Sequence, residues 1–160
     1  MLSSDHQKTS LASSFIRVLL LSTALISFSA TSATELAKNP DIPIKFAKGA
    51  ISSSVTGKLS PNEDERWYRF DATSWQYAVV NIAPLTDTPE TANVGVLHMP
   101  NGTQDGSKGG IVYQGCLPAT GEYRLRIARN LMATEGKTAG YKVEVMILPT
   151  YASKSLCEYL

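Results

Sequence analysis

From about residue 42 the chain alternates short apolar-rich segments with turn residues, roughly every 8 to 14 positions. The segments are Ile42–Ala47, Ile51–Leu59, Glu65–Ala72, Gln76–Ala83, Asn93–Met99, Gly110–Gly115, Glu122–Ala128 and Ala139–Leu148. Between them lie breakers such as Ser60-Pro61-Asn62, Pro84 to Pro89, Pro100-Asn101-Gly102 and Pro118 to Gly121. Two segments alternate with a period of two. Tyr123, Leu125 and Ile127 oppose Glu122, Arg124 and Arg126, and Tyr141, Val143, Val145 and Ile147 oppose Lys142 and Glu144. Glu65 to Phe70 follows suit, with Tyr68 and Phe70 inward and Glu65, Trp67 and Arg69 outward. One wet and one dry face per strand is the habit of antiparallel sheets. The pattern predicts an all-β chain, an antiparallel β-sandwich of about eight strands. No window holds a helical period. Should the 122–128 and 139–148 segments pair, Arg124 or Arg126 would lie opposite Glu144.

The first stretch reads differently. Lys8 and Arg17 precede an apolar run, Val18 to Phe28, followed by small residues from Ser29 to Ala33. That is the order of a secretory signal peptide, with an apolar core about half as long as a membrane-spanning helix needs. Small Thr31 and Ala33 place the cleavage after Ala33, giving a leader over 1–33 and a polar lead over 34–43. A sandwich domain over 44–148 and a tail over 149–160 follow. Losing Lys8, Arg17 and Asp5 takes the formal net charge from +1 to zero. A neutral chain is a poor nucleic-acid ligand, and no polybasic cluster or lipidated cysteine suggests a membrane anchor. Cys116 and Cys157 remain, and in an exported chain they most simply form one disulfide, the alternative being two buried free thiols.

Chemistry is sparse. His98 is the one histidine outside the leader, with no second ligand at metal-binding spacing and no nucleophile–base arrangement. The acidic run Glu63-Asp64-Glu65 lacks the spacing and glycine of a calcium loop and reads as a solvated hairpin tip. No glycine-rich loop leads into a helix. The chain is therefore read as a non-enzyme without cofactor or metal, and recognition falls to its loops. The segment from Arg129 to Gly140 stands out, exposing Leu131 and Met132. By parity Arg129 would share the inward face of Ile127, where an unpaired guanidinium is forbidden. It is expected to project at the sheet's rim.

Phe46-Ala47-Lys48-Gly49, Ser52 to Leu59, Trp67-Tyr68-Arg69-Phe70 and Pro118 to Arg126 occur in an order that resembles two related groups. These are the bacterial pre-peptidase C-terminal-like β-sandwich and the periplasmic inhibitor of g-type lysozyme. The resemblance covers roughly Ile44 to Leu148 and implies a periplasmic sandwich that blocks the cleft of a lysozyme, g type favoured. In that family a loop enters the cleft, bearing two arginines four residues apart after the late strand and a tyrosine in the first hairpin. Arg129-Asn130 matches the first arginine if a gap of about two residues is allowed. Ala133 stands where the second would be, and Glu63 holds the hairpin position. A guanidinium aimed at the lysozyme's essential acid would favour its ionised, inactive form. The alternative is a small envelope glycan- or peptidoglycan-binding module without inhibitory activity, with Trp67 as a stacking platform.

Overall fold

The computed structural model describes residues 40–158 except 133. The expected leader over 1–33 lies outside the described residues. Ten strands and one helix follow in order: β1 (Ile42–Pro43), β2 (Ser52–Leu59), β3 (Glu65–Ala72), β4 (Tyr77–Pro84), β5 (Glu90–Thr91), β6 (Val94–His98), β7 (Gln104–Lys108), β8 (Gly110–Cys116), β9 (Gly121–Ala128), β10 (Ala139–Ile147) and α1 (Thr150–Cys157). One sheet has the order β1-β3-β9-β6-β7; the other has β2-β10-β4-β8, with β5 beside β10. Pairing is antiparallel except where β1 meets β3 and β5 meets β10.

The alternating faces set the packing. Tyr68, Phe70, Leu97, Tyr123, Leu125 and Ile127 from the first sheet are buried against Val80, Ile82, Val112, Tyr141, Val143 and Val145 from the second. Phe70 and Tyr123 stack with ring centroids 5.6 Å apart. The Tyr123 hydroxyl donates to the Ala119 carbonyl at 2.6 Å, which makes the entry to β9 a tyrosine corner. Between the sheets, the hydroxyls of Tyr68 and Tyr141 share a hydrogen bond of 2.7 Å. Burial first, and then that bond, push the Tyr141 phenol far above its ordinary pKa, so it stays neutral.

The expected sandwich is present, with differences. β9 and β10 lie in opposite sheets, so Arg124 and Arg126 do not face Glu144; its register partners are Ser54 and Asn81. Strand pairing in the Ile42–Ala47 segment is limited to Ile42 and Pro43. β7 (Gln-Asp-Gly-Ser-Lys) has no apolar alternation to betray it, because it is an edge strand that buries little. The tail carries α1, a helix missed because only Ser153 and Cys157 are buried in its eight residues. Cys157 is bonded to Cys116 at the end of β8, with Cα atoms 5.7 Å apart, as expected from the cysteine count. The Ser153 hydroxyl accepts from the Tyr77 amide at 2.8 Å and donates to the Pro149 carbonyl at 3.0 Å, fastening the helix to β4.

Gly57 lies opposite Tyr141 in the β2–β10 register. A Cβ there would fall 2.2 Å from the Tyr141 hydroxyl and 2.4 Å from the adjoining ring carbon. In an open strand, replacing glycine by alanine stabilises by restricting the unfolded chain. Here it would drive the inter-sheet tyrosine pair apart. Gly57→Ala should therefore cost about 3 kcal/mol, the scale of core overpacking, measured by urea unfolding. An unchanged midpoint would show that Tyr141 can yield freely.

Candidate functional site

At one end of the sandwich the β2–β3 connection and the β9–β10 loop converge. β9 must hand the chain across to the other sheet here, and Arg129 is the first residue beyond it. Its side chain turns inward. The residue is only 4% exposed. Nε donates to the Glu63 carbonyl at 2.9 Å, Nη1 to the Lys137 carbonyl at 2.5 Å and the Glu90 carboxylate at 3.1 Å. Nη2 donates to the carbonyls of Leu59 at 2.8 Å and Ser60 at 2.5 Å. All five guanidinium N–H donors are thus committed inside the fold. The parity argument was right that an unpaired arginine could not sit here, but the chain resolves it by pairing the group. Arg129 does not project at the rim, and it has no donor left for a partner.

Glu90 extends the arrangement outward. Its carboxylate accepts from the Glu135 amide at 2.8 Å, the Lys137 amide at 3.0 Å and the Thr134 hydroxyl, as well as from Arg129. The Thr134 bond first, then the amides and the Arg129 charge, lower the Glu90 pKa below its ordinary value, outweighing desolvation. One buried cation and one carboxylate therefore fix the base of the loop. Its tip is open: Leu131 is 67% exposed and Met132 93%. Asn130 shapes the tip, its Oδ1 accepting from the Met132 amide at 3.3 Å. Below lies a cleft of about 320 Å³ between Asp64, Glu65, Val94, Arg126, Asn130 and Leu131.

The other expected site residues are nearby, but they are engaged. Glu63 holds Arg66 through bonds of 2.9 and 2.5 Å, so the acidic run is no free hairpin tip. Trp67 lies on the outer face of its sheet but is half-buried, not an open platform. The Arg124 guanidinium stands 4.6 Å from the centre of the ring, and the His98 ring lies 5.1 Å away. The indole N–H donates to Glu65 at 2.7 Å, and Arg124 is itself held by Asp41 at 2.5 and 3.1 Å. The structure thus gathers Glu63, Arg129 and Asn130 at one end, and Trp67 bonds Glu65, which with Arg126 lines the cleft beside Arg129 and Asn130. The reading by residue type missed Glu90, whose partners lie 39 to 47 positions away and leave no local signal. Among the described residues no cluster of histidine, cysteine and carboxylate side chains could hold a metal ion.

The chain is an all-β sandwich with an exposed apolar loop tip on a hydrogen-bonded base. No family model matches the sequence, and no curated protein matches it. Solved structures do. Aeromonas hydrophila PliG, a periplasmic lysozyme inhibitor of g-type lysozyme, matches with a TM-score of 0.53 and 23% identity, over 68% of this chain and 96% of that one. The Salmonella Typhimurium PliG gives 0.54 and 24%, over 69% of this chain and 100% of that one. A mutant of the Escherichia coli PliG gives 0.51 and 25%, over 68% and 97%. The fold is that of the periplasmic inhibitors of g-type lysozyme, the group that the motifs resemble.

Two outcomes test this assignment of roles. Arg129→Ala should destabilise the protein by about 3 to 5 kcal/mol, the cost of breaking a buried pair, instead of leaving stability untouched. Arg129→Lys should recover only part, because an ammonium cannot reproduce the five-donor fork. Urea midpoints decide it. The second outcome concerns pH. Glu90 titrates lower when folded than its ordinary 4.5, so its contribution is fully present above about pH 4.5. It is lost as the pH falls through the depressed folded value. The protection of the Glu135 and Lys137 amides, relative to their intrinsic exchange rates, should be high at pH 5 and fall at lower pH, while in Glu90→Gln it should be low throughout.

Proposed function

We propose that this chain is an exported, periplasmic protein that binds and blocks the active-site cleft of a lysozyme, most readily a g-type enzyme, without doing chemistry itself. The observation that carries the reading is the Leu131–Met132 tip. Two large apolar side chains stand in solvent on a loop whose base is locked by Arg129 and Glu90. Exposing them has no folding rationale, and a preorganised tip loses little entropy when it enters a cleft. The likeness to the three PliG structures supports the partner class. With Arg129 turned inward, the block rests on filling the cleft and excluding sugar, not on an Arg129 guanidinium neutralising the lysozyme's acid. Glu63 and Asn130 act by shaping the β2–β3 connection and the tip. Trp67 belongs to the outer face that supports them.

A lysis assay with the protein lacking its leader, run against g-, c- and i-type lysozymes, tests the reading. Stoichiometric inhibition is expected, strongest for the g type. Leu131→Asp together with Met132→Asp should weaken it about thirty-fold or more, as loss of an interface hot spot does, with an unchanged urea midpoint. Absence of inhibition against all three types would end the proposal.

A further inference from the structure

The opposite end of the sandwich carries an exposed aromatic group. Trp75 sits in the turn between β3 and β4 with φ of +65° and is 63% exposed. A left-handed backbone at a bulky residue is strained, and glycine or asparagine would occupy it with less cost. The turn is held by its neighbours. The Trp75 amide donates to the Leu117 carbonyl at 2.9 Å, the Thr73 amide to the Gln76 side chain at 2.7 Å, and the Ser74 amide to Thr120 at 3.0 Å. The strain brings the indole no burial, so folding gives no reason for tryptophan here. Strained residues of this kind gather at ligand-holding positions.

Tyr151 on α1 lines the same cleft and is 85% exposed. The cleft measures about 260 Å³ and is mostly apolar, with Thr150 and the Lys154–Glu158 ion pair, 3.5 Å apart, among its lining. Its floor is the disulfide-bonded Cys157, so the helix that presents Tyr151 is covalently tied to β8. Two open aromatic side chains with one hydroxyl and one ion pair beside them suit an occupant that is apolar on its flat faces and polar at its rim. A pyranose ring is such an object: its axial C–H bonds meet an aromatic face while its hydroxyls reach outward.

We infer that Trp75 and Tyr151 form a glycan-binding cleft, taking sugar rings of a polysaccharide such as the peptidoglycan strand, at the end of the molecule opposite the Leu131–Met132 tip. The two ends act separately. One would hold the protein on the polymer that a lysozyme attacks, and the other would meet the enzyme.

The test is co-sedimentation of the leader-free protein with purified peptidoglycan sacculi, with titration by soluble chitin oligosaccharides followed by calorimetry. Wild type should bind both. Trp75→Gly should lose about ten-fold or more in affinity yet raise the melting temperature, because glycine relieves the left-handed strain. Tyr151→Ala should weaken binding similarly at unchanged stability. Both variants should inhibit lysozyme as wild type does, which separates this cleft from the inhibitory end. No binding by wild type, or binding indifferent to both substitutions, would overturn the inference. So would concentration-dependent dimerisation that both substitutions abolish, since that would make the cleft a self-association surface.

Discussion

The Arg129 guanidinium is the constraint on which one whole end of the molecule depends. Four main-chain carbonyls, from Leu59, Ser60, Glu63 and Lys137, converge where β9 leaves its sheet and the chain crosses to β10. Carbonyl dipoles aimed at one point repel each other and, once buried, cannot turn to water. A planar cation with five fixed donors resolves both problems at once. It draws together the end of β2, the β2–β3 connection and the long loop, and it brings in Glu90 as counter-charge. Glu90 then organises residues 134 to 137, so the base that carries Leu131 and Met132 follows, in two steps, from the Arg129 side chain. Electrostatics inside the protein here governs how an apolar tip is held outside it.

How much of this could be read from the residues alone follows physical lines. The inward sets of β3, β9 and β10 were legible because a period of two is imposed by the pleat itself, and Tyr123, Leu125, Ile127, Tyr141, Val143 and Val145 are all buried. The disulfide was legible from arithmetic. β7 and α1 were not, since a polar edge strand and a helix with two buried residues write no pattern. The site was half legible. Parity marked Arg129 as anomalous, which it is. Parity could not say whether the anomaly would be resolved by exposure or by pairing, because the partners, Leu59 to Glu63, Glu90 and Lys137, are set by tertiary structure. Trp67 shows the same limit. Alternation placed it outward, and only the fold could place Arg124 over its ring.

The two ends of the sandwich are built by different means. At the Arg129 end the chain is fixed by charge and by main-chain hydrogen bonds, with no covalent link. At the other end Cys116–Cys157 and the Ser153 hydroxyl hold α1 against β4 and β8. The first kind of fixing answers to acidity through Glu90, the second to the redox state of the surroundings. A single fold can thus respond to two features of its environment at surfaces that face apart.

The order in which the strands alternate between sheets has a kinetic consequence. β2, β3 and β4 fall in opposite sheets in turn, as do β8, β9 and β10, so β6 and β7 are the one pair of chain neighbours joined as a hairpin within a sheet. β10 must find β2 more than seventy residues back before its sheet can close, with Val143 beside Val55. Topologies with so few local contacts have high contact order and fold in milliseconds to seconds, not microseconds. Such a chain stays unfolded comparatively long after synthesis, with its apolar strands uncovered. That delay exposes it to aggregation, and it sets the interval in which a holding chaperone would have to cover those strands before the sandwich shuts.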